Sequence, residues 1–182
     1  MTKLDLDSTY DIRYVSPDLS TFSFISILKN GKQVELVIQI TKHRDPHLSG
    51  VYNLAFGPLD LKGEIDDKVV LKHSDLGKVF STIMLCAITF LDNIEPGISI
   101  GIDGSNDVRA YLYHRMFVSN YKKLAELITT VGVDWYVRLL RNGTDIERDA
   151  DSYPLFKPRP EPFDLNRASI DLYRYYMFSL NE

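Results

Sequence analysis

Apolar and polar residues alternate along the chain on both sides of the dipeptide Asn30-Gly31. Apolar side chains recur through residues 22–28, and residues 34–41 have one at every second position, the period of a strand with one buried face. Asn-Gly is the dipeptide most typical of a tight turn between two strands. The pattern therefore predicts a β-hairpin centred on this dipeptide.

Other short apolar runs, bounded by Gly, Pro or Asp, predict the remaining strands. Those in the N-terminal part complete an antiparallel meander, and a later run of isoleucines alternating with small residues predicts a central strand. The predicted strands cover residues 11–15, 51–56, 69–71, 98–102, 135–140 and 172–180.

Two segments change to the period of a helix. Residues 78–94 carry apolar side chains around most of the circumference, which predicts a largely buried helix with Ser74 capping its start. Residues 108–129 carry theirs near one stripe, which predicts a second long helix. The expected fold class is α+β, with a mixed, mostly antiparallel sheet and two long helices.

The boundaries of the domain follow from polarity and proline content. Residues 1–9 are polar and are expected to form a flexible arm, and residues 10–150 a single α+β domain. The prolines within residues 153–162 favour an extended connector over a helix. Residues 151–182 are therefore assigned to the same domain, as a proline-rich connector followed by an aromatic C-terminal strand.

Composition narrows the class of protein. The chain has 182 residues, 45% of them hydrophobic, which is enough for one sizeable core. Its formal net charge of -4 disfavours binding to nucleic acid. The single cysteine, Cys86, lies in an apolar run, and the lack of a disulfide framework fits a cytoplasmic compartment. No apolar run approaches the roughly 20 residues that cross a bilayer, so no membrane partner is expected.

The segment with the most candidate chemistry is the predicted strand, turn and helix start within residues 98–115. Free N–H groups at a helix start attract anions, and Arg109 lies one turn into the helix with Tyr113 four residues further on the same face. The arginine is suited to a carboxylate or phosphate, and the tyrosine to the role of a catalytic acid. The alternative is a capped helix whose arginine pairs with a nearby carboxylate. The candidate ligand-binding residues of this turn are Gly104, Ser105, Asn106 and Arg109.

Motifs for other chemistries are missing from the sequence. His43 and His47 are four residues apart, but Pro46 between them indicates a loop, so we expect no metal site. The chain also has no phosphate-binding P-loop, no dinucleotide fingerprint and no nucleophile elbow. Nucleophilic hydrolysis and nicotinamide chemistry are therefore not predicted, and no cofactor is expected.

One resemblance covers most of the chain. The order of meander, buried helix, short strand and second helix resembles an uncharacterised bacterial family, a domain of unknown function with several members from Bacteroidetes. The likeness extends over roughly residues 10–120 and implies no activity. The residues that carry it are Asp75, Gly77, Lys78, Gly104, Ser105, Asn106, Arg109, Leu112 and Tyr113.

A second resemblance is to the GNAT-type acetyltransferases, whose elements follow a similar order. Their acetyl-CoA loop is matched here at Gly77, whereas Val79 stands where that family has Gly or Ala. Their later helix motif is matched at Asn106, Leu112 and Tyr113. This resemblance implies a GNAT-like fold order, an acyl-CoA or other phosphate ligand held by Gly77, Lys78 and the turn at Gly104, and Tyr113 as the acid.

Two main hypotheses for the function remain, from different classes. The first is a non-catalytic interaction or self-associating module that binds a protein partner or forms a homodimer. Its contact residues are expected on the aromatic C-terminal strand, at Tyr173, Tyr175, Tyr176 and Phe178. The second is a transferase that uses acyl-CoA or another phosphate-bearing ligand. A role in bacterial conflict, as a toxin–antitoxin or phage-related protein, is a third hypothesis that gene neighbourhood would test.

Overall fold

Eight strands of the chain pair into one sheet in the computed structural model, which describes residues 3–66, 69–104, 106–141 and 144–181. The sheet has the order β1-β2-β3-β4-β5-β8-β6-β7. The strands are β1 (Ile12–Val15), β2 (Thr21–Ile27), β3 (Gln33–Lys42), β4 (Val51–Gly57), β5 (Ser99–Asp103), β6 (Ile128–Val137), β7 (Phe156–Pro162) and β8 (Tyr175–Leu180). The helices are α1 (Leu76–Asp92) and α2 (Asp107–Leu124). The predicted fold class is confirmed.

The N-terminal strands form the predicted antiparallel meander. Strands β2 and β3 pair in register around Phe24 and Leu36, and the turn between them has Gly31 at a φ of +78°, a conformation that favours glycine. The predicted strand over residues 69–71 does not form, and these residues lie in an irregular loop.

Strands β4 and β5 are parallel, unlike the other pairs in the described part of the sheet. Helix α1 makes the crossover between them, as parallel neighbours require. Asp75 rather than Ser74 caps this helix, with its carboxylate accepting a hydrogen bond from the Lys78 N–H at 2.8 Å. The Ser74 hydroxyl instead donates to the Ile27 carbonyl and ties the preceding loop to β2. The prediction of Ser74 as the cap was wrong by one residue.

The second helix is shorter than predicted, and the strand after it is longer. Helix α2 ends at Leu124, and Ile128 already begins β6, where the sequence predicted a helix to residue 129. Strand β6 pairs with β8 on one side and with β7 on the other. These pairings satisfy the backbone of residues 128–137 along a strand that the sequence placed at residues 135–140.

The proline-rich connector forms the edge strand β7. Its prolines at 158, 160 and 162 lie opposite Trp135, Val133 and Val131 of β6. A proline has no N–H to donate, so prolines in a sheet are tolerated where that position faces away from the neighbouring strand. The backbone N–H groups of the residues between the prolines are directed toward β6. At the prolines, the outer edge of the sheet has no N–H donor.

Strand β8 lies inside the sheet, between β5 and β6. Its Tyr176 and Phe178 side chains point to the face that both helices cover and are at most 1% exposed. The opposite face of the sheet has a smaller cluster in which Leu48 from a 3-10 turn packs near Val133 and Tyr175. The C-terminal strand therefore completes the chain's own core.

The N-terminal arm packs against the helices from residue 3 onward. Leu4 is 1% exposed and belongs to the main core, although residues 1–9 were expected to be flexible. The division of the chain into arm and domain stays a prediction. Among the described residues, no helix is long and apolar enough to cross a membrane.

Candidate functional site

The start of α1 holds two of the predicted ligand-binding residues, Gly77 and Lys78. A β-carbon on Gly77 would lie 2.7 Å from the Lys3 carbonyl oxygen, so only glycine permits the arm to pass this close. The Lys78 N–H is bonded to the Asp75 carboxylate, and the Lys78 ammonium lies 4.9 Å from the centre of the Tyr10 ring. The chain's own atoms thus occupy the end of α1 where an anion would bind.

The start of α2 is likewise bonded within the chain. The Asn106 side chain caps the helix and accepts from the Arg109 N–H at 2.9 Å, and the Gly104 N–H donates to the Arg174 carbonyl. Arg174 also pairs with Asp107 at 2.6 Å. Ser105 lies outside the described residues. An open cavity of about 360 Å³ lies beside this turn, lined in part by Asp107 and Arg174.

Tyr113, the predicted acid, lies in the core rather than at either helix start. Its ring is 5% exposed and makes edge contacts with Phe80 of α1 and Tyr176 of β8. Helix geometry places Tyr113 one turn beyond Arg109, as the spacing predicted. The structure therefore brings Gly104, Asn106 and Arg109 together. It leaves little of the Tyr113 side chain accessible to a bound ligand.

Between α1 and α2 runs a groove that holds the N-terminal arm, called here the arm groove. The Leu4 N–H donates to the Asn120 side-chain oxygen of α2, and the Asp5 N–H donates to the Ser81 hydroxyl of α1, both at 2.8 Å. One feature of the sequence indicates this groove. Ser81 and Thr82 are adjacent polar residues in an otherwise apolar part of the helix. Both are fully buried.

The predicted interface residues are buried within the chain, and their role as an interface stays a prediction. Tyr173, Tyr175, Tyr176 and Phe178 are at most 3% exposed within their own chain. The reason is the position of β8 in the interior of the sheet, with rings on both faces in contact with core side chains. The aromatic C-terminal strand leaves no ring free for a partner.

An ion-pair cluster that the sequence did not indicate fixes the segment before β8. Arg167 is largely buried, with its guanidinium 2.7 Å from Asp134 of β6 and 2.8 Å from Glu161 of β7. It also lies over the Tyr173 ring at 3.9 Å, and the Tyr173 hydroxyl donates to Glu161. Each charge has a partner, so the cluster is suited to hold β6, β7 and the C-terminal segment together.

His114 of α2 is a buried polar side chain that the sequence analysis did not single out. It is 7% exposed, its ring packs against Phe163 at 5.3 Å, and its Nδ1 has no hydrogen-bond partner among the described residues. Burial lowers the pKa of His114, opposed by the charge of Asp164 and reinforced by Arg167 and Arg115. The neutral imidazole is therefore the form that suits the fold.

Large apolar side chains are exposed where β6 and β7 continue past the sheet into their connecting loop. The described residues of this segment, 136–141 and 144–156, are called here the β6–β7 extension. The backbone of this extension is held by bridges between Leu139 and Ile146 and between Arg148 and Pro154. Its exposed large apolar residues, which range from 41% to 69% exposed, are Tyr136, Leu139, Leu140, Tyr153 and Phe156.

The part of the chain that the structure describes contains no set of side chains arranged to bind a metal ion. No group of three His, Cys, Asp or Glu side chains in that part is placed to hold an ion. Cys86 is buried, and burial raises the pKa of its thiol to about 12, which keeps it protonated and unreactive.

Comparison with known proteins identifies a family but no characterised relative. Residues 7–145 match the model of a group described as "Family of unknown function (DUF6934)". No protein with a curated description matches the chain, and no solved structure does. The match confirms the expectation of a family of unknown function, and the GNAT-type resemblance stays a prediction.

Proposed function

The chain belongs to the Family of unknown function (DUF6934), and from this premise we propose that it is a non-catalytic interaction module that self-associates through the β6–β7 extension. The observation that carries the proposal is the exposure of large apolar side chains along this extension. Exposed apolar residues concentrated in one region mark contact surfaces more often than isolated ones do.

Side-chain exposure on the extension favours a protein partner over a small ligand. Tyr153 is 69% exposed, Leu139 64% and Phe156 57%, and aromatic residues are enriched at the centres of protein interfaces. The extension projects these groups from paired backbone, so they are presented without the cost of ordering a loose loop.

The charges of the extension favour a second copy of the chain as that partner. Residues 136–156 contain Arg138, Arg141 and Arg148 together with Asp145, Glu147, Asp149 and Asp151. A surface with both signs of charge is able to complement itself across a two-fold axis, where each residue meets the symmetry-related surface. The prolines of β7 disfavour the pairing of two sheets along this edge.

The residues that lie at the helix starts also support a non-catalytic role. The Asp75 carboxylate already occupies the start of α1, and a negative charge there opposes a bound phosphate. Beside it, the arm lies against Gly77, the one acetyl-CoA loop position that this sequence shares with the GNAT type. Tyr113 is buried, which weakens its case as an acid.

Matched leucine-to-aspartate variants test the proposal. Leu139→Asp puts a charge into the extension, and Leu61→Asp makes the same change at a fully exposed leucine elsewhere. We expect light scattering to give a dimer for the wild type and for Leu61→Asp, and a monomer of 20.9 kDa for Leu139→Asp. If Leu139→Asp retains the mass of the wild-type dimer, the extension is not the contact surface.

One observation favours an acyl-CoA or phosphate-ligand transferase as the second candidate. Strands β4 and β5 are parallel, with α1 between them and α2 next, which is the element order that suggested the GNAT type. A thermal-shift assay with coenzyme A and acetyl-CoA tests it, because a ligand at about 100 times its dissociation constant stabilises a fold by roughly 2.7 kcal/mol. A shift that Arg109→Ala removes would make the transferase the leading hypothesis.

A further inference from the structure

The arm groove contacts its occupant mainly through that occupant's backbone. Asn120 is 6% exposed and accepts from the Leu4 N–H, and Ser81 is 0% exposed and accepts from the Asp5 N–H. Thr82, also 0% exposed, accepts from the Tyr10 N–H at 2.9 Å. Buried polar groups on a helix face are costly unless they are hydrogen-bonded, so these two helices are built to receive the backbone of another segment.

Two side chains of the arm give the groove its selectivity. Leu4 enters the main core and is 1% exposed, so the groove has a space for this apolar side chain, and Leu6 packs against the same core while partly exposed. The next residue, Asp5, lies 3.6 Å from the Lys123 ammonium of α2. The segment that fits is therefore a peptide with a leucine followed by an acidic residue.

The arm is a discrete segment, joined to the sheet by a short exposed turn. The Ser8 N–H donates to the Asp5 carbonyl and the Asp7 N–H to the Asp5 carboxylate, so this turn is bonded within itself. Asp7 and Ser8 are exposed. The groove contacts of Leu4 and Asp5 thus do not depend on which copy of the chain the segment is joined to.

We propose that the arm groove is a peptide-recognition site whose ligand in trans is the N-terminal segment of a second copy of this chain. Exchange of arms replaces each contact by an identical one, and the two states differ only at the turn before β1, which makes exchange a low-cost route to a dimer. The tethered arm competes at an effective concentration on the order of millimolar. Exchange therefore needs a groove whose own arm has been released.

This site is separate from the β6–β7 extension, and the proposal goes beyond self-association through that surface. The extension follows β6, whereas the arm groove lies between α1 and α2. Substitutions in one leave the residues of the other unchanged, so the two proposals fail or succeed independently.

The first test is peptide binding to a full-length chain with a released arm. Leu4→Asp places a charge where the core takes an apolar group and should free the groove. A fluorescent peptide of residues 1–10 of this chain is the probe, followed by fluorescence anisotropy. We expect saturable binding to Leu4→Asp, at least tenfold weaker binding to the wild type, and at least tenfold weaker binding of a peptide that carries Leu4→Asp itself.

Circular dichroism and a cooperative thermal transition establish that the Leu4→Asp chain is folded. A milder release variant, Asp5→Lys, opposes Lys123 and serves if the first does not fold. The proposal is overturned if a folded release variant fails to bind the peptide, or if it binds the wild-type and the Leu4→Asp peptides equally.

The second test asks whether a second copy supplies the ligand. A chain with Leu4→Asp has an open groove, and a chain with Asn120→Arg has a closed groove and a free wild-type arm. Both also carry Leu139→Asp, which removes association through the extension. We expect each alone to be a monomer and the mixture to form a 1:1 complex in sedimentation velocity. A mixture that stays monomeric while the peptide binds rules out the second copy as the partner.

Discussion

Leu4→Ala should destabilise the protein although Leu4 lies in a segment predicted to be a flexible arm. The Leu4 side chain is 1% exposed, and full burial of a leucine contributes about 1.5–3 kcal/mol. Truncation of a core leucine to alanine costs about 2–5 kcal/mol when a cavity is left behind. If the truncated arm leaves the groove, the loss is limited to the free energy with which the arm docks, so we expect about 2–3 kcal/mol.

Urea unfolding, followed by circular dichroism, measures this loss. Leu61→Ala is the matched control, since Leu61 is fully exposed and its truncation should change the free energy of unfolding by less than about 0.5 kcal/mol. In a thermal scan, each kcal/mol corresponds to about 2–4 °C for a domain of this size, so Leu4→Ala should melt roughly 4–12 °C below the wild type. A loss no larger than that of Leu61→Ala would refute the argument that the arm belongs to the core.

The remaining predictions concern the two buried polar features of the C-terminal half. Burial lowers the pKa of His114 in the folded state, so the unfolded chain binds this proton more readily, and stability should fall as the pH drops through the unfolded value of about 6.5. His114→Phe should flatten that fall in urea unfolding at a series of pH values, and an unchanged pH dependence would contradict the assignment. Arg167→Ala leaves Asp134 and Glu161 without their closest cation and should cost about 2–4 kcal/mol, less than a fully buried pair because Glu161 is 34% exposed. Arg159→Ala, at a 61% exposed arginine near the same carboxylates, should cost under about 1 kcal/mol, and equal losses in the two variants would contradict the cluster's role.

Local periodicity was enough to predict the N-terminal meander and the existence of both helices. The hairpin around Gly31 forms as predicted because its signals, alternation and turn residues, are contained within about twenty residues of sequence. The end of α2 was not predictable in the same way. Leu127 and Ile128 fit either a helical stripe or a strand, and pairing of Ile128 with Leu180, far along the chain, decides for the strand.

The proline-rich segment and the C-terminal strand show the same limit. Prolines argue against a strand, but at 158, 160 and 162 they occupy alternate positions, so the residues between them remain free to pair with β6. The aromatic strand was predicted as a strand, yet its location between β5 and β6 depends on long-range pairing that no local pattern encodes. The same pairing buries the rings that were predicted to form an interface.

Within the candidate site, the sequence predicted where the two helices begin. It did not predict which atoms of the chain lie against the helix starts. Asn106, predicted as a ligand-binding residue, caps α2, a role that asparagine favours at a helix start. The contact between Gly77 and the Lys3 carbonyl joins segments more than seventy residues apart, and it was not accessible to spacing arguments. The arm that contains Leu4 and Leu6 was predicted to be flexible because most of its residues are polar or acidic. That composition did not indicate that Leu4 is buried.

Sedimentation equilibrium of the wild-type chain over a wide range of concentrations tests self-association most directly. We expect the apparent mass to rise from the chain mass of 20.9 kDa toward twice that value as the concentration increases. We further expect Leu139→Asp to abolish the rise. A wild-type mass that stays at 20.9 kDa at every concentration would contradict the proposal that this protein self-associates.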